Sequence, residues 1–206
     1  MTTINQFLRY STGILFLLAA VVSCATVSDL KVTYRLPPKS DELKGKKVFL
    51  GFQDARASKD ILGEGAKREF KGFSGNILFS LVRDEGEGFR IGIYDVPSFF
   101  REVFKRRLEN LGAEVLPKRK EGEIELVIVL NDFLLDLVSR EWVATIDYEA
   151  KLVKGEEDLG TQLISGKAER FKWVGRGQAD VVMGDIFSDM INRLDVVRLF
   201  KQANLL

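Results

Sequence analysis

The side chains that could perform chemistry in this sequence are carboxylates, basic clusters and one thiol. The chain has no histidine and a single cysteine, Cys24. Without histidine there is no Ser-His-Asp or Cys-His machinery, no imidazole general base and no histidine-ligated metal. One cysteine cannot close an internal disulfide or build a multi-thiolate metal site. These counts exclude many enzyme classes before any motif is considered.

Two acidic arrangements remain as candidate sites. Asp54 and Arg56 lie at the end of a predicted strand, where an acid and a guanidinium two residues apart could clamp a partner or pin the following loop; we favour pinning. Asp132 and Asp136 lie on the same face of a predicted strand and could approach each other, as acid–base catalysis or Ca²⁺ binding would require. No third ligand is spaced with them, so we favour a solvated sheet face and expect no metal and no cofactor.

Two phenylalanines, Phe70 and Phe73, lie in a glycine-rich segment and are either loop anchors or an exposed contact patch. Together with Asp54 and Arg56 they are the candidate binding residues of the sequence.

Basic residues cluster at 105–107 and 118–120, on either side of a predicted turn. They could contact anionic lipid, but a solvated outer face is the favoured interpretation. No base-stacking aromatic residues are interleaved with them, and the 31 Lys+Arg nearly balance the 30 Asp+Glu. Nucleic acid is therefore not an expected partner.

The first 23 residues have the pattern of a secretory signal peptide. Arg9 precedes nine consecutive apolar residues, 14–22, which are followed by Ser23 and Cys24. Nine helical residues rise about 13 Å, too little for roughly 30 Å of hydrocarbon. We therefore expect a removable leader rather than a permanent span.

The junction 21–24, Val-Val-Ser-Cys, resembles the lipobox of bacterial lipoproteins. The resemblance implies cleavage between Ser23 and Cys24, acylation of Cys24 with fatty acids such as palmitate, and attachment to a membrane. The competing interpretation is a buried small hydrophobic side chain, which does not explain why the only cysteine ends a signal h-region. Stable anchoring needs two lipid chains or two signals, and a multiply acylated cysteine meets that need.

By the same resemblance, Ala25 in place of an aspartate favours the outer membrane over the inner membrane. Removal of residues 1–23 removes Arg9 and no acid, leaving 30 basic against 30 acidic residues. We expect residues 24–45 to form a lipidated N-terminus and tether, because no sustained pattern is evident and Pro37 and Pro38 interrupt any ladder. Residues 46–206 are expected to be a single α+β domain facing the periplasm.

Periodicity predicts the elements of that domain. We expect a long irregular connection over 55–76 and a short terminal helix capped by Asp195. The predicted strands are 46–54, 77–82, 89–94, 124–137, 142–152 and 161–174, and the predicted helices are 98–111 and 178–193. The order of these elements predicts a mixed, mostly antiparallel sheet with two main helices packed on one face.

Ordered features along the chain resemble the YajG-type family of bacterial lipoproteins. They are the lipobox, Leu36-Pro37, 43–46, Asp54-Ala55-Arg56 with 61–63, the hairpin before 99–112, the strand 124–130, Ala144-Thr145-Ile146, and 199–202. The resemblance implies an α/β lipoprotein that faces the periplasm and has no established enzymatic activity. The chain departs from the family in its longer, phenylalanine-containing segment between Asp54 and Ile77.

The leading hypothesis is a non-enzymatic, lipid-anchored envelope protein whose domain binds another envelope protein. Three alternatives stay open: an accessory lipoprotein of an envelope ABC transport or lipid-transfer system, a lipid or small-molecule carrier with 55–76 as a lid, and an enzyme that uses Asp132 and Asp136.

Overall fold

A computed structural model of the chain describes residues 28–83 and 88–206. The predicted leader and the predicted cleavage and lipidation residues, Ser23 and Cys24, lie outside the described residues. The strands are β1 (Ser28–Leu36), β2 (Lys47–Asp54), β3 (Phe73–Arg83), β4 (Phe89–Tyr94), β5 (Glu114–Leu116), β6 (Ile124–Val138), β7 (Glu141–Lys154) and β8 (Glu157–Phe171). The helices are α1 (Glu64–Glu69), α2 (Val96–Asn110), α3 (Gly177–Arg193) and α4 (Val196–Gln202).

The strands form two sheets rather than the one sheet that was expected. One has the order β1-β3-β4 and the other the order β5-β2-β6-β7-β8. The pairs β1–β3, β2–β5 and β2–β6 are parallel, and β3–β4, β6–β7 and β7–β8 are antiparallel. The prediction of an α+β fold with mixed sheets is confirmed. A second sheet exists because the predicted hairpin β3–β4 pairs with β1, a strand that was not predicted.

Strand β1 corrects the expectation of a tether over 24–45. Its apolar residues alternate with polar ones, and the apolar side chains are buried: Leu30, Val32, Tyr34 and Leu36. The following segment is also docked, since Leu43 is buried and its N–H donates to the carbonyl of Leu111. The period-2 signal is present in the sequence before the Pro37-Pro38 pair, and these prolines end the strand without making the whole stretch irregular.

The outer edge of β1 is covered by side chains of α3. Asp180 accepts from the Lys31 N–H at 3.1 Å, and the Ser188 hydroxyl accepts from the Arg35 N–H at 3.0 Å. The Asn192 amide donates to the Arg35 carbonyl at 3.0 Å. An open strand edge is a template for unwanted pairing, and these contacts close it.

Phenylalanines of α2 form the centre of the core between the two sheets. The Phe99 ring lies 4.7 Å from the Phe187 ring of α3 and 5.3 Å from the Phe79 ring of β3. Phe104 packs 5.6 Å from Tyr148 of β7, whose hydroxyl donates to the Met190 carbonyl of α3. Both long helices therefore contact the same strand, β7.

The helix boundaries lie within two residues of the predicted ones. Helix α2 begins at Val96 rather than at the predicted residue 98, because Asp95 accepts from the Ser98 N–H at 2.8 Å and caps the helix, with Pro97 in the first turn. The predicted cap of the terminal helix is confirmed, because Asp195 accepts from the Arg198 N–H at 2.8 Å. No helix within 28–83 and 88–206 is long and apolar enough to cross a membrane.

Candidate functional site

Asp54 and Arg56 form a closed ion pair at the end of β2. The Arg56 Nε and Nη2 donate to the two Asp54 carboxylate oxygens at 2.9 Å each, and Lys59 Nζ lies 3.1 Å from Asp54 Oδ1. Arg56 is only 5% exposed. Hydrogen bonds from Arg56 lower the pKa of Asp54 to about 2. The pair pins the following loop, as favoured in the sequence analysis, and leaves no open carboxylate for a ligand.

Asp132 and Asp136 have separate partners rather than each other. Asp136 accepts from the N–H groups of Gly65 and Ala66 at 2.9 and 3.0 Å and so caps α1, while Asp132 accepts from the Thr145 hydroxyl at 2.9 Å. Within the described ranges no group of three potential metal-ligating side chains occurs. The arrangement holds α1 against β6 and does not converge on a pocket.

The segment expected to be a long irregular connection, 55–76, contains α1 and the start of β3. Leu62 bridges Leu135 of β6, with the Gly63 N–H donating to the Leu135 carbonyl at 2.9 Å. A Cβ built on Gly65 would lie 1.9 Å from the Leu137 carbonyl oxygen. Such a close approach requires glycine and shows that the segment is packed onto the sheet rather than raised above it.

Phe70 anchors the end of this segment in the core. It is 2% exposed, and its ring lies 6.0 Å from both the Phe73 and the Trp142 rings. The Arg176 guanidinium lies 4.8 Å from the Phe70 ring centroid. Of the two interpretations of Phe70 and Phe73, loop anchoring is the one the geometry supports, with Phe73 half-buried in β3.

None of four clefts found on the surface of the described residues is lined by a residue from 55–76. One cleft of about 470 Å³ lies between α2 and the edge strand β5. We call it the α2–β5 groove, and its lining residues are Phe49, Leu50, Tyr94, Ser98, Arg101, Glu102, Lys105, Val115, Leu116 and Pro117. It combines an apolar floor with charged side chains on its α2 side, an arrangement suited to binding.

The basic stretches that flank this groove are partly neutralised by acids. Arg106 pairs with Glu102 at 2.6 Å, and Arg119 pairs with Glu125 at 2.9 Å. Lys105 lies 3.9 Å from Glu109. Lys105 and residues 118–120 are exposed, as the favoured interpretation of a solvated outer face expects, whereas Arg106 and Arg107 are half-buried.

A second surface feature, a group of exposed apolar side chains near the end of β8, was not predicted from the sequence. The expected strand 161–174 ends at Phe171, and two apolar side chains beyond it point into solvent, with Trp173 75% and Val174 86% exposed. Val138 is also exposed at the end of β6. We call Val138, Phe171, Trp173 and Val174 the apolar patch. Its signal in the sequence was an apolar pair beyond the last alternating position of β8.

The patch and the groove lie toward opposite ends of the five-stranded sheet. The groove residues Phe49 and Leu50 pair with the start of β6 at Glu125 and Leu126, whereas the patch residue Val138 ends the same strand. Twelve residues of extended chain separate Leu126 from Val138, which corresponds to ~40 Å.

No family model matches the chain, and no curated protein matches it significantly. The fold is similar to that of protein XCC0632 from Xanthomonas campestris, of the DUF330 family, with a TM-score of 0.51 and 14% identity over 88% of this chain and 100% of that chain. Lipoprotein GNA1162 from Neisseria meningitidis aligns with a TM-score of 0.38 and 9% identity, over 71% of this chain and 99% of that one. The first similarity shows a common fold, and the resemblance to the YajG-type family stays a prediction.

Proposed function

We propose that this chain is a bacterial envelope lipoprotein that is anchored through acylated Cys24. The observation that carries the proposal is the leader, in which the only cysteine of the chain directly follows a nine-residue apolar run and Ser23. The folded part of the chain starts close behind this cysteine, because β1 begins at Ser28. A lipid on Cys24 would therefore hold a folded domain directly at a membrane surface.

The domain on this anchor is a non-enzymatic binding or structural module of the YajG type, facing the periplasm from the outer membrane. Two observations support a binding role over catalysis. The sequence lacks histidine, and the carboxylates with the best spacing for chemistry, Asp54, Asp132 and Asp136, are each engaged in a structural contact.

An accessory role in an envelope transport or lipid-transfer system is the second candidate. The α2–β5 groove favours it, because this groove has an apolar floor and charged side chains and is open at the surface, where a second envelope component could reach it. A pull-down from detergent-solubilised envelope, repeated with Arg101→Glu at an exposed position of the groove, tests this role. We expect the partner to be lost with the substitution, and equal recovery would contradict the groove as its binding site.

Metabolic labelling with palmitate tests the anchor directly. We expect wild-type protein to incorporate label and to sediment with the outer membrane on a density gradient, whereas Cys24→Ala remains unlabelled and keeps its leader. Ser139→Gly is the matched control for handling and expression, because Ser139 lies in the β6–β7 turn with a φ of 59°, which glycine adopts without strain. Equal labelling of wild type and Cys24→Ala would overturn the proposal.

A further inference from the structure

Strand β1 begins at the end of the molecule that carries the apolar patch. Ser28, the first residue of β1, donates its N–H to the carbonyl of Gly72, and its hydroxyl accepts from the Arg176 guanidinium. Arg176 is two residues after Val174 and packs over Phe70. The start of β1 and the loop that carries Trp173 and Val174 are therefore joined directly.

Chain length then limits how far this end can lie from the lipid. Only three residues, 25–27, separate Cys24 from Ser28. Four Cα–Cα steps span at most ~14 Å even when fully extended. With Cys24 acylated, Ser28 cannot leave the immediate neighbourhood of the headgroups, and the loop 172–176 is carried there with it.

The composition of this end fits a lipid–water interface. The apolar patch supplies four of the nine large apolar side chains that are exposed in the described residues, so they are concentrated here. The Trp173 ring packs edge-on against Phe171 at 5.6 Å, and the Arg140 guanidinium lies 5.2 Å from the Phe171 ring. Tryptophan is enriched at membrane interfaces, where its ring is apolar and its N–H is wet.

Basic groups beside the patch are available to phosphate. Within 28–83 and 88–206, neither Arg140 nor Arg176 forms an ion pair with a carboxylate, whereas Lys172 pairs with Glu69. A guanidinium matches the geometry of a phosphate group, and each basic residue near an anionic surface strengthens the attraction to it. Because the covalent anchor already holds the domain at the membrane, the patch meets the lipid at a high effective concentration. Even a weak contact is then sufficient to orient the domain.

From this geometry we propose that the apolar patch, with Arg140 and Arg176, rests in the headgroup region of the membrane that holds the anchor. The contact sets the orientation of the domain, with the long strands β6 and β7 leading away from the bilayer toward the α2–β5 groove. The inference rests on the proposed acylation of Cys24. The apolar patch contacts the lipid surface itself rather than a protein.

Site-specific labelling of the acylated protein tests the contact. Because Cys24 is the only cysteine and is blocked when acylated, Val174→Cys introduces one reactive thiol. Leu163→Cys is the matched control, since Leu163 is 72% exposed but lies in mid-β8 opposite Glu149. Each variant is labelled with an environment-sensitive fluorophore and reconstituted into phosphatidylethanolamine–phosphatidylglycerol vesicles with nitroxide lipids.

We expect the label at position 174 to shift its emission to the blue and to be quenched by the nitroxide several-fold more than the label at 163. Adding Trp173→Asp to the Val174→Cys variant should reduce this quenching toward the control value. Equal quenching at 174 and 163 in protein that floats with the vesicles overturns the orientation but not the anchor. Protein that does not float overturns the anchor and the inference with it.

The experiment can also reveal that the apolar patch binds a second copy of the chain. A blue shift at position 174 that occurs in detergent, increases with protein concentration and is insensitive to nitroxide lipid would identify an interface between two chains. That outcome would also overturn the lipid contact.

Discussion

Arg56 is the most deeply buried charged side chain of the described residues, and its Nη1 atom has no hydrogen-bond partner there. Asp54 is what makes this burial tolerable, because it neutralises the guanidinium through two bonds of 2.9 Å. Breaking such a pair leaves a buried charge without compensation, which costs far more than losing a surface contact. This ion pair, together with Lys59, fixes the start of the loop that follows β2, and the bridge between Leu62 and Leu135 holds the end of that loop.

Substitution Asp54→Asn should lower the free energy of unfolding by about 2 kcal/mol at pH 7. The folded pKa of Asp54, about 2, lies below its ordinary range, so the stabilisation is complete above roughly pH 4 and is lost as the pH falls through 2. The difference between wild type and variant should therefore shrink on acidification. Urea denaturation at pH 7 and pH 3 measures it.

Asp60→Asn is the control for this prediction, because Asp60 lies in the same loop but is exposed and pairs with the exposed Lys67. It should change stability much less than Asp54→Asn at pH 7. Equal losses in the two variants, or a loss in Asp54→Asn that does not depend on pH, would contradict the assignment of the pair.

Whether a contact between two side chains could be predicted depends on how far apart the two residues are in the sequence. The Asp54–Arg56 pair was predictable because its members are two residues apart, at the end of a strand whose alternation is visible. The partners of Asp136 were not predictable, because Gly65 lies 71 residues away along the chain. Strand parity placed Asp132 and Asp136 on one face, but only the position of α1 decided what Asp136 would bind.

At the scale of elements, α1 depends on its neighbours rather than on its own sequence. Six residues are too few for a stable isolated helix, and Glu64–Glu69 has no apolar stripe that would predict a helix. The helix is held by the Asp136 cap and by the approach of Gly65 to the Leu137 carbonyl. By contrast, α2 and α3 were predicted because an apolar stripe repeats along each of them.

The substitution Gly65→Ala should destabilise the protein by about 1–3 kcal/mol, because the added methyl group would force α1 off β6. Gly177→Ala is the matched control: it also lies in the first turn of a helix, and a methyl group added there would meet nothing within 4 Å. Helix propensity makes that change neutral or favourable. Denaturation midpoints and amide exchange at Ala66 measure the contrast, and equal effects would refute the close approach.

The whole molecule depends on β1, which joins the two halves of the fold. It pairs with β3 on one edge and with side chains of α3 on the other. Its four buried apolar side chains contribute roughly 1.5–3 kcal/mol each, and a typical domain has a net stability of only about 5–15 kcal/mol. The strand is therefore a structural requirement rather than a spacer.

Truncation distinguishes this role from that of a tether. A chain that begins at Ser28 should fold and unfold cooperatively, whereas one that begins at Pro37 should not. Circular dichroism with thermal unfolding and size-exclusion chromatography compares the two. If both truncated chains fold with the same stability, β1 is dispensable and the tether interpretation of 24–45 is right after all.

What the sequence determined by itself is local: the pattern that predicts a leader before the single cysteine, the strands and helices that carry their own periodicity, and the cap at Asp195. Each of these is written within a few adjacent residues, where spacing alone sets the geometry. The tertiary structure decided which segments meet. It paired β1 with β3, placed α1 on β6, and brought Ser28, Phe70, Trp142 and Arg176 together beside the exposed Trp173. Such contacts join segments far apart in the chain, so they depend on how all the apolar faces are buried at once, and no local pattern contains that information.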